Sequence, residues 1–184
     1  MQAQMRHDAP SIQPELRSLS IGRADEKGTD LLSLIRCTPL LRVFAVLLQT
    51  TQLSETLGGR GPFTVFAPSN AAFGALPPHF LHESMRDMRV ASTLLAHHIV
   101  PSCVRELDLG RGSLSALRGE SICTRSDADG HWYGAGRLMD TGSAASNGVL
   151  WIINKVITPS TLSSRQSASE IRVRNPLLYG VPRN

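Results

Sequence analysis

The sequence is short of the features that mark several protein classes. Aromatic residues make up 5% of its 184 positions and charged residues 18%. A nucleic-acid binder needs a basic face backed by stacking aromatics, and neither is present in quantity. No apolar run approaches the ~20 residues that cross a bilayer as a helix. The densest stretch, residues 40–48, is broken by Arg42. Residues 1–30 contain no apolar core of a secretory leader, and Asp8, Glu15, Asp25 and Glu26 argue against a transit peptide. There is no internal repeat. A Gly-x-Ser-x-Gly nucleophile elbow and a phosphate-binding glycine loop are both missing, and Gly58-Gly59-Arg60-Gly61 lacks the Lys-Ser/Thr that would follow such a loop.

Cysteine is scarce as well. Cys37, Cys103 and Cys123 cannot all pair within one chain, and their spacing is not that of a zinc site. They are read as small, buried or half-buried thiols, in preference to a Cys103–Cys123 disulfide.

What is present divides the chain into three. The net charge of +4 sits mostly at one end. Residues 1–29 are neutral in sum and residues 30–159 carry a surplus of one. Residues 160–184 hold Arg165, Arg172, Arg174 and Arg183 against Glu170, a surplus of three. Residues 1–28 are polar, include Pro10 and Pro14, and show no sustained period, which predicts an extended or disordered arm. Residues 29–159 read as one folded domain. Residues 160–169 are serine-rich and read as a linker, and the apolar patch Pro176-Leu177-Leu178-Tyr179 follows. That patch is expected to pack back on its own domain or on a partner.

Within the domain, helices come first. Thr29 or Asp30 suits the N-cap of a short apolar turn, and Pro39 suits the first turn of a helix over 40–50. A third helix, over 52–57, stops at Gly58-Gly59. Phe63-Thr64-Val65-Phe66 is a short strand between Gly61-Pro62 and Pro68. Ser69 or Asn70 caps the turn holding Phe73, and a helix follows over 79–85. Residues 88–99 carry the clearest helical period, with Ala91, Leu94, Leu95, His98 and Ile99 on one face. After Cys103 the pattern turns to short segments read mostly as strands, over 103–107, 113–117, 120–125, 132–139 and 148–157, separated by Gly, Asp and Ser, with a hairpin turn at Asp129-Gly130. Trp132 and Tyr133 read as sheet packing. Asn147-Gly148 is expected to supply positive φ before the last strand. Helices followed by strands predict an α+β domain.

Three segments resemble a known family. Thr64-Val65-Phe66-Ala67-Pro68-Ser69-Asn70-Ala71-Ala72-Phe73 is similar to the first signature of the fasciclin-like (FAS1) domain. Leu94-Leu95-Ala96-His97-His98-Ile99-Val100-Pro101 resembles its central Tyr-His segment. Asn147-Gly148-Val149-Leu150-Trp151-Ile152-Ile153-Asn154-Lys155-Val156-Ile157-Thr158-Pro159 resembles its closing signature. Leu117-Arg118-Gly119-Glu120-Ser121-Ile122 resembles the loop between them more loosely. The order and spacing agree over about 130 residues. Three positions depart: the family usually has Tyr at His97, His at Trp151 and Asp at Asn154. The resemblance implies a β-sandwich or wedge-shaped sheet packed with a helical layer. It also implies adhesion, through binding of another protein or a matrix or cell-surface macromolecule, without enzymatic activity, and it implies secretion or surface anchoring.

The candidate partner-binding residues are His97, His98, Val100, Trp151, Leu177, Leu178 and Tyr179. His98 lies on the apolar face, which predicts a core histidine with its nitrogens hydrogen-bonded. The resemblance associates the same segment with receptor binding. His97, rotated about 100° from it on a helix, is expected to be the exposed one. Adjacent histidines do not make a metal pair, and no metal or cofactor site is predicted. Trp151 alternates with Leu150 and Ile152, and is expected to be partly exposed and able to anchor an interface. A different class of reading makes the chain an accessory subunit of a stable assembly, tethered by its tails.

Overall fold

The computed structural model describes residues 28–110, 112–140 and 142–159. The expected N-terminal arm up to residue 27, the serine-rich linker and tail, and the candidates Leu177, Leu178 and Tyr179 lie outside the described residues.

The first half of the domain is helical: α1 (Leu31–Cys37), α2 (Arg42–Gln49) and α3 (Leu53–Gly58) precede strand β1 (Phe63–Pro68). A 3₁₀ turn at Pro39–Leu41 leads into α2, with Pro39 at its first position, where a missing N–H costs nothing. Asp30 caps α1 by accepting from Ser33 N–H at 2.7 Å. Helices α4 (Asn70–Gly74), α5 (Pro78–Arg86) and α6 (Met88–Ala96) follow. Ser69 caps α4 through its hydroxyl, which accepts from Ala72 N–H. Asn70 instead ties α4 to the start of α2: its side-chain oxygen accepts from Val43 N–H and its amide donates to Pro39 O.

Among the described residues the strands form two four-stranded sheets. In the first, β2 (Ile99–Val100), β1, β8 (Gly148–Ile153) and β7 (Ser143–Ala145) lie in that order. Strand β8 runs parallel to β1, with Phe66 opposite Trp151. The second sheet, in the order β3 (Ser113–Ser115), β4 (Ser121–Asp127), β5 (Gly130–Tyr133) and β6 (Gly136–Arg137), is antiparallel. A bridge between Leu138 and Ile153 joins the two sheets. The fold is therefore α+β, as the order of elements predicts.

Alternation along the central strands sorts the core into two layers. Val65, Ala67, Leu150 and Ile152 face the helices and pack with Leu31, Ile35, Phe44, Leu47 and Leu94. Phe66, Trp151 and Ile153 face the second sheet and pack with Ile122, Tyr133 and Ile157. Strands buried on both faces read as near-continuous apolar runs, and β1 and β8 do so.

Several local expectations need correction. The helix predicted over 88–99 ends at Ala96, because Ile99 and Val100 pair with Val65 and Thr64 as β2. The segment 103–107 is not a strand, and a 3₁₀ turn occupies Glu106–Asp108. Asn147-Gly148 supplies no positive φ. Glycine is needed there for close approach: a Cβ on Gly148 would collide with the Phe63 carbonyl oxygen, and one on Gly61 with that of Asn147. The three cysteines are all exposed rather than buried or half-buried, and all are free.

Candidate functional site

The three signature-like segments meet where α6 runs into β2. Asp87 caps α6 by accepting from Arg89 N–H at 2.8 Å. At the other end His97 and His98 turn the chain, their N–H groups donating to Leu94 O and Leu95 O. His98 then joins three elements. Its carbonyl accepts from Phe66 N–H of β1 at 2.8 Å. Its Nδ1–H donates to Leu94 O at 2.8 Å, and its Nε2 accepts from Ile157 N–H at 2.9 Å. Because a backbone N–H must have an acceptor, the ring is the neutral tautomer with its proton on Nδ1. Phe44 of α2 meets it edge-on, with centroids 6.3 Å apart. Burial pushes the His98 pKa down to about 4, opposed by the bond to Leu94. The expected core histidine is there, with both nitrogens satisfied.

His97 does not have the exposure its helical angle suggests: the residue is 7% exposed. The helix has already ended, so the ring turns toward the second sheet, where Nε2 lies 2.7 Å from Glu120 Oε2. Burial pushes its pKa down, and the Glu120 charge opposes that. The His97 carbonyl accepts from the Tyr133 hydroxyl at 2.8 Å, and Tyr133 stacks on Phe66 with ring centroids 3.9 Å apart. Burial raises the Tyr133 pKa, so its hydroxyl keeps its proton and donates.

Val100 and Trp151 are buried too, at 2% and 3% exposure. Trp151 does face away from Leu150 and Ile152, but that side is covered by the second sheet and not by water. Its indole N–H donates to Val104 O at 3.4 Å. Val104 is held in turn by Thr64, whose hydroxyl accepts from Val104 N–H at 2.8 Å and donates to Ser102 O at 2.6 Å. Asn154 takes a backbone partner, its side-chain oxygen accepting from Arg137 N–H at 2.8 Å. An amide oxygen serves that contact, so it does not require the carboxylate usual in the family.

The geometry thus brings His97, His98, Val100 and Trp151 to one junction, but as buried structure. Glu120 is the solvent-facing member, its side chain 40% exposed. Sequence reasoning missed Glu120 and Thr64, because partners 23 and 40 residues away leave no periodic trace. The usable signal for Glu120 was its place in the loop that resembles the family. Among the described residues no group of three His, Cys, Asp or Glu side chains is arranged to hold a metal. No single helix there is long and apolar enough to cross a membrane.

Comparison with known proteins agrees with this geometry. The model of the Fasciclin domain matches residues 39–159. The chain is similar to Protein sll1483 of Synechocystis sp., 31% identical over 115 residues, covering 60% of this chain and 63% of the relative. It is 29% identical to periostin of Homo sapiens over 136 residues, covering 73% of this chain and 16% of periostin. It is 27% identical to the immunogenic protein MPB70 of Mycobacterium bovis over 107 residues, covering 58% of this chain and 54% of that protein. In each of these three relatives the match spans less than two thirds of the relative's own length. Among solved structures, the FAS1 domain pair of the insect cell adhesion molecule Fasciclin I aligns with a TM-score of 0.63. It is 14% identical and covers 72% of this chain and 52% of that one. At that identity the likeness is one of fold.

Proposed function

The chain belongs to the fasciclin domain family, with the matched domain covering residues 39–159, and from that premise we propose that it acts by association, as a non-catalytic protein-binding or adhesion-type module. The observation that carries this reading is the match of family and fold to a domain pair from a cell adhesion molecule. The chemistry of the junction supports it. Both nitrogens of His98 are spent on backbone groups, His97 is bound to Glu120, and the Tyr133 proton is committed to a carbonyl. These groups hold the fold closed and leave no free acid–base pair beside a nucleophile.

The folded module in this reading is residues 29–159. The junction residues His97, His98, Val100 and Trp151 act from beneath the surface, fixing Glu120 and the neighbouring loops that a partner would touch. A second reading rests on the arginine-rich segment 160–184 with Leu177, Leu178 and Tyr179: an accessory subunit of a stable assembly, tethered by its tails. One experiment separates the two. The full chain and a variant lacking residues 160–184 are tagged in the source cells and purified under moderate salt. The binding-module reading expects the same partner with both. Loss of the partner on deletion supports tethering. A substrate turned over by the pure chain and lost in His98→Gln, with native circular dichroism, would sink both.

A further inference from the structure

Residues 154–159 lie outside the strands and close the domain before the chain continues as residues 160–184. The Ile157 side chain is packed between the sheets, and its backbone N–H is held by His98 Nε2 at 2.9 Å. The other ring nitrogen is already committed to Leu94 O. The imidazole can accept from Ile157 only while Nε2 is unprotonated. A proton there would set two N–H donors head to head. His98 is 1% exposed, so water does not part them.

The charged surroundings are few. From α2 the ring meets Phe44, and along its own segment it meets His97, whose charge reaches it and whose own ring faces Glu120 of the loop after β3. From the second sheet, Tyr133 keeps its proton on the His97 carbonyl, and Lys155 of the closing segment is exposed. No carboxylate acts on His98 among the described residues to compensate a positive ring.

We propose that His98 and Ile157 form an acid-sensitive latch: protonation of His98 loosens residues 155–157 of the closing segment, while β1, β8 and the helical layer stay folded. The opening is local because the backbone upstream is tied independently, with Asn154 N–H donating to Arg137 O and Met139 N–H donating to Ile152 O. The inference does not depend on what the module binds. A ring held neutral down to about pH 4 in the closed form, against 6.5 when fully freed, sets a ceiling of about a hundredfold on the gain in open population between pH 7 and pH 4.

The test is amide hydrogen exchange at single-residue resolution on the full-length chain from pH 7 to pH 4, corrected for intrinsic rates and repeated in low denaturant. The expected result is an Ile157 amide whose protection falls by tenfold to about a hundredfold with little denaturant dependence, while Ala91 and Met139 remain protected at pH 4. Protection of Ile157 that is unchanged with pH overturns the latch. So does exchange of Ile157 in step with Ala91 and Met139, with the same denaturant dependence. In His98→Phe the Ile157 amide should exchange fast at pH 7 and lose its pH dependence. If that variant does not fold, the ¹⁵N shift of His98 Nε2 in the native chain decides: titration accompanied by Ile157 opening supports the latch, and titration without it overturns the latch.

Discussion

At the scale of single residues, the most consequential group is a histidine that the fold keeps neutral. The unfolded chain protonates His98 near pH 6.5, and the closed fold resists until about pH 4. The folded pKa is depressed, so this contribution is fully present above 6.5 and is lost as pH falls toward 4, because the unfolded state then binds more protons. Urea unfolding at pH 7 and pH 4 should show a loss of up to about 3 kcal/mol, and His97, shifted in the same direction, adds to it. Equal stability at the two pH values would refute the assignment. Thr64 offers a second test. Thr64→Val keeps the shape but removes a buried acceptor for Val104 N–H and a donor to Ser102 O. Denaturant titration should register a loss of about 2 kcal/mol. The buried state of His98 was legible from its place on an apolar face. That of His97 and Trp151 was not, because helical angle and strand alternation say which way a side chain points and not what lies there. At Trp151 the second sheet lies there, and at His97 it is Glu120.

At the scale of elements, the parallel pair β1–β8 is made possible by Asn147 and Gly148. Asn147 accepts from Leu31 N–H at 2.9 Å and donates to Leu57 O and Gly59 O, at 2.7 and 2.9 Å. One side chain thereby fastens the start of α1 and the end of α3 to the last strand. Asn147→Ala should cost about 2–4 kcal/mol, since it strands a helix-start N–H and two carbonyls, as read by thermal or urea unfolding. Gly148→Ala should cost about 3 kcal/mol or more, because the new methyl meets the Phe63 backbone oxygen, which cannot yield as the Leu31 side chain beside it can. A Gly148→Ala chain as stable as the parent would show that the two strands approach less closely than described. Elements with strong local signals were readable: the apolar period of α6, the strand Phe63–Phe66 between prolines, and the β4–β5 hairpin, whose turn falls at Ala128-Asp129, one residue before the expected Asp129-Gly130. The role of Asn147-Gly148 was misread, since turn chemistry and close backbone approach select the same dipeptide. The segment near Cys103 was misread for a related reason: its path is set by Thr64, 40 residues away, and not by its own composition.

At the scale of the whole molecule, one interior is closed by its last strand. Strand β8 is inserted beside β1, separated from it by most of the domain's sequence, so the helical layer and the second sheet cannot complete their packing until the end of the domain is in place. Core strands paired in this way exchange through the largest openings of a domain, even where its ends open locally. Both the family's fold and the reading of this chain as a binding module depend on that closure, because the junction of His97, His98 and Trp151 exists only when β8 is seated. The direct test is denaturant-dependent hydrogen exchange of the β1 and β8 amides in the full chain at pH 7. A single closed interior predicts that both strands converge on one opening free energy with one denaturant slope. If β8 exchanges through a separate, smaller opening while β1 remains protected, the two do not share a core, and the account is contradicted.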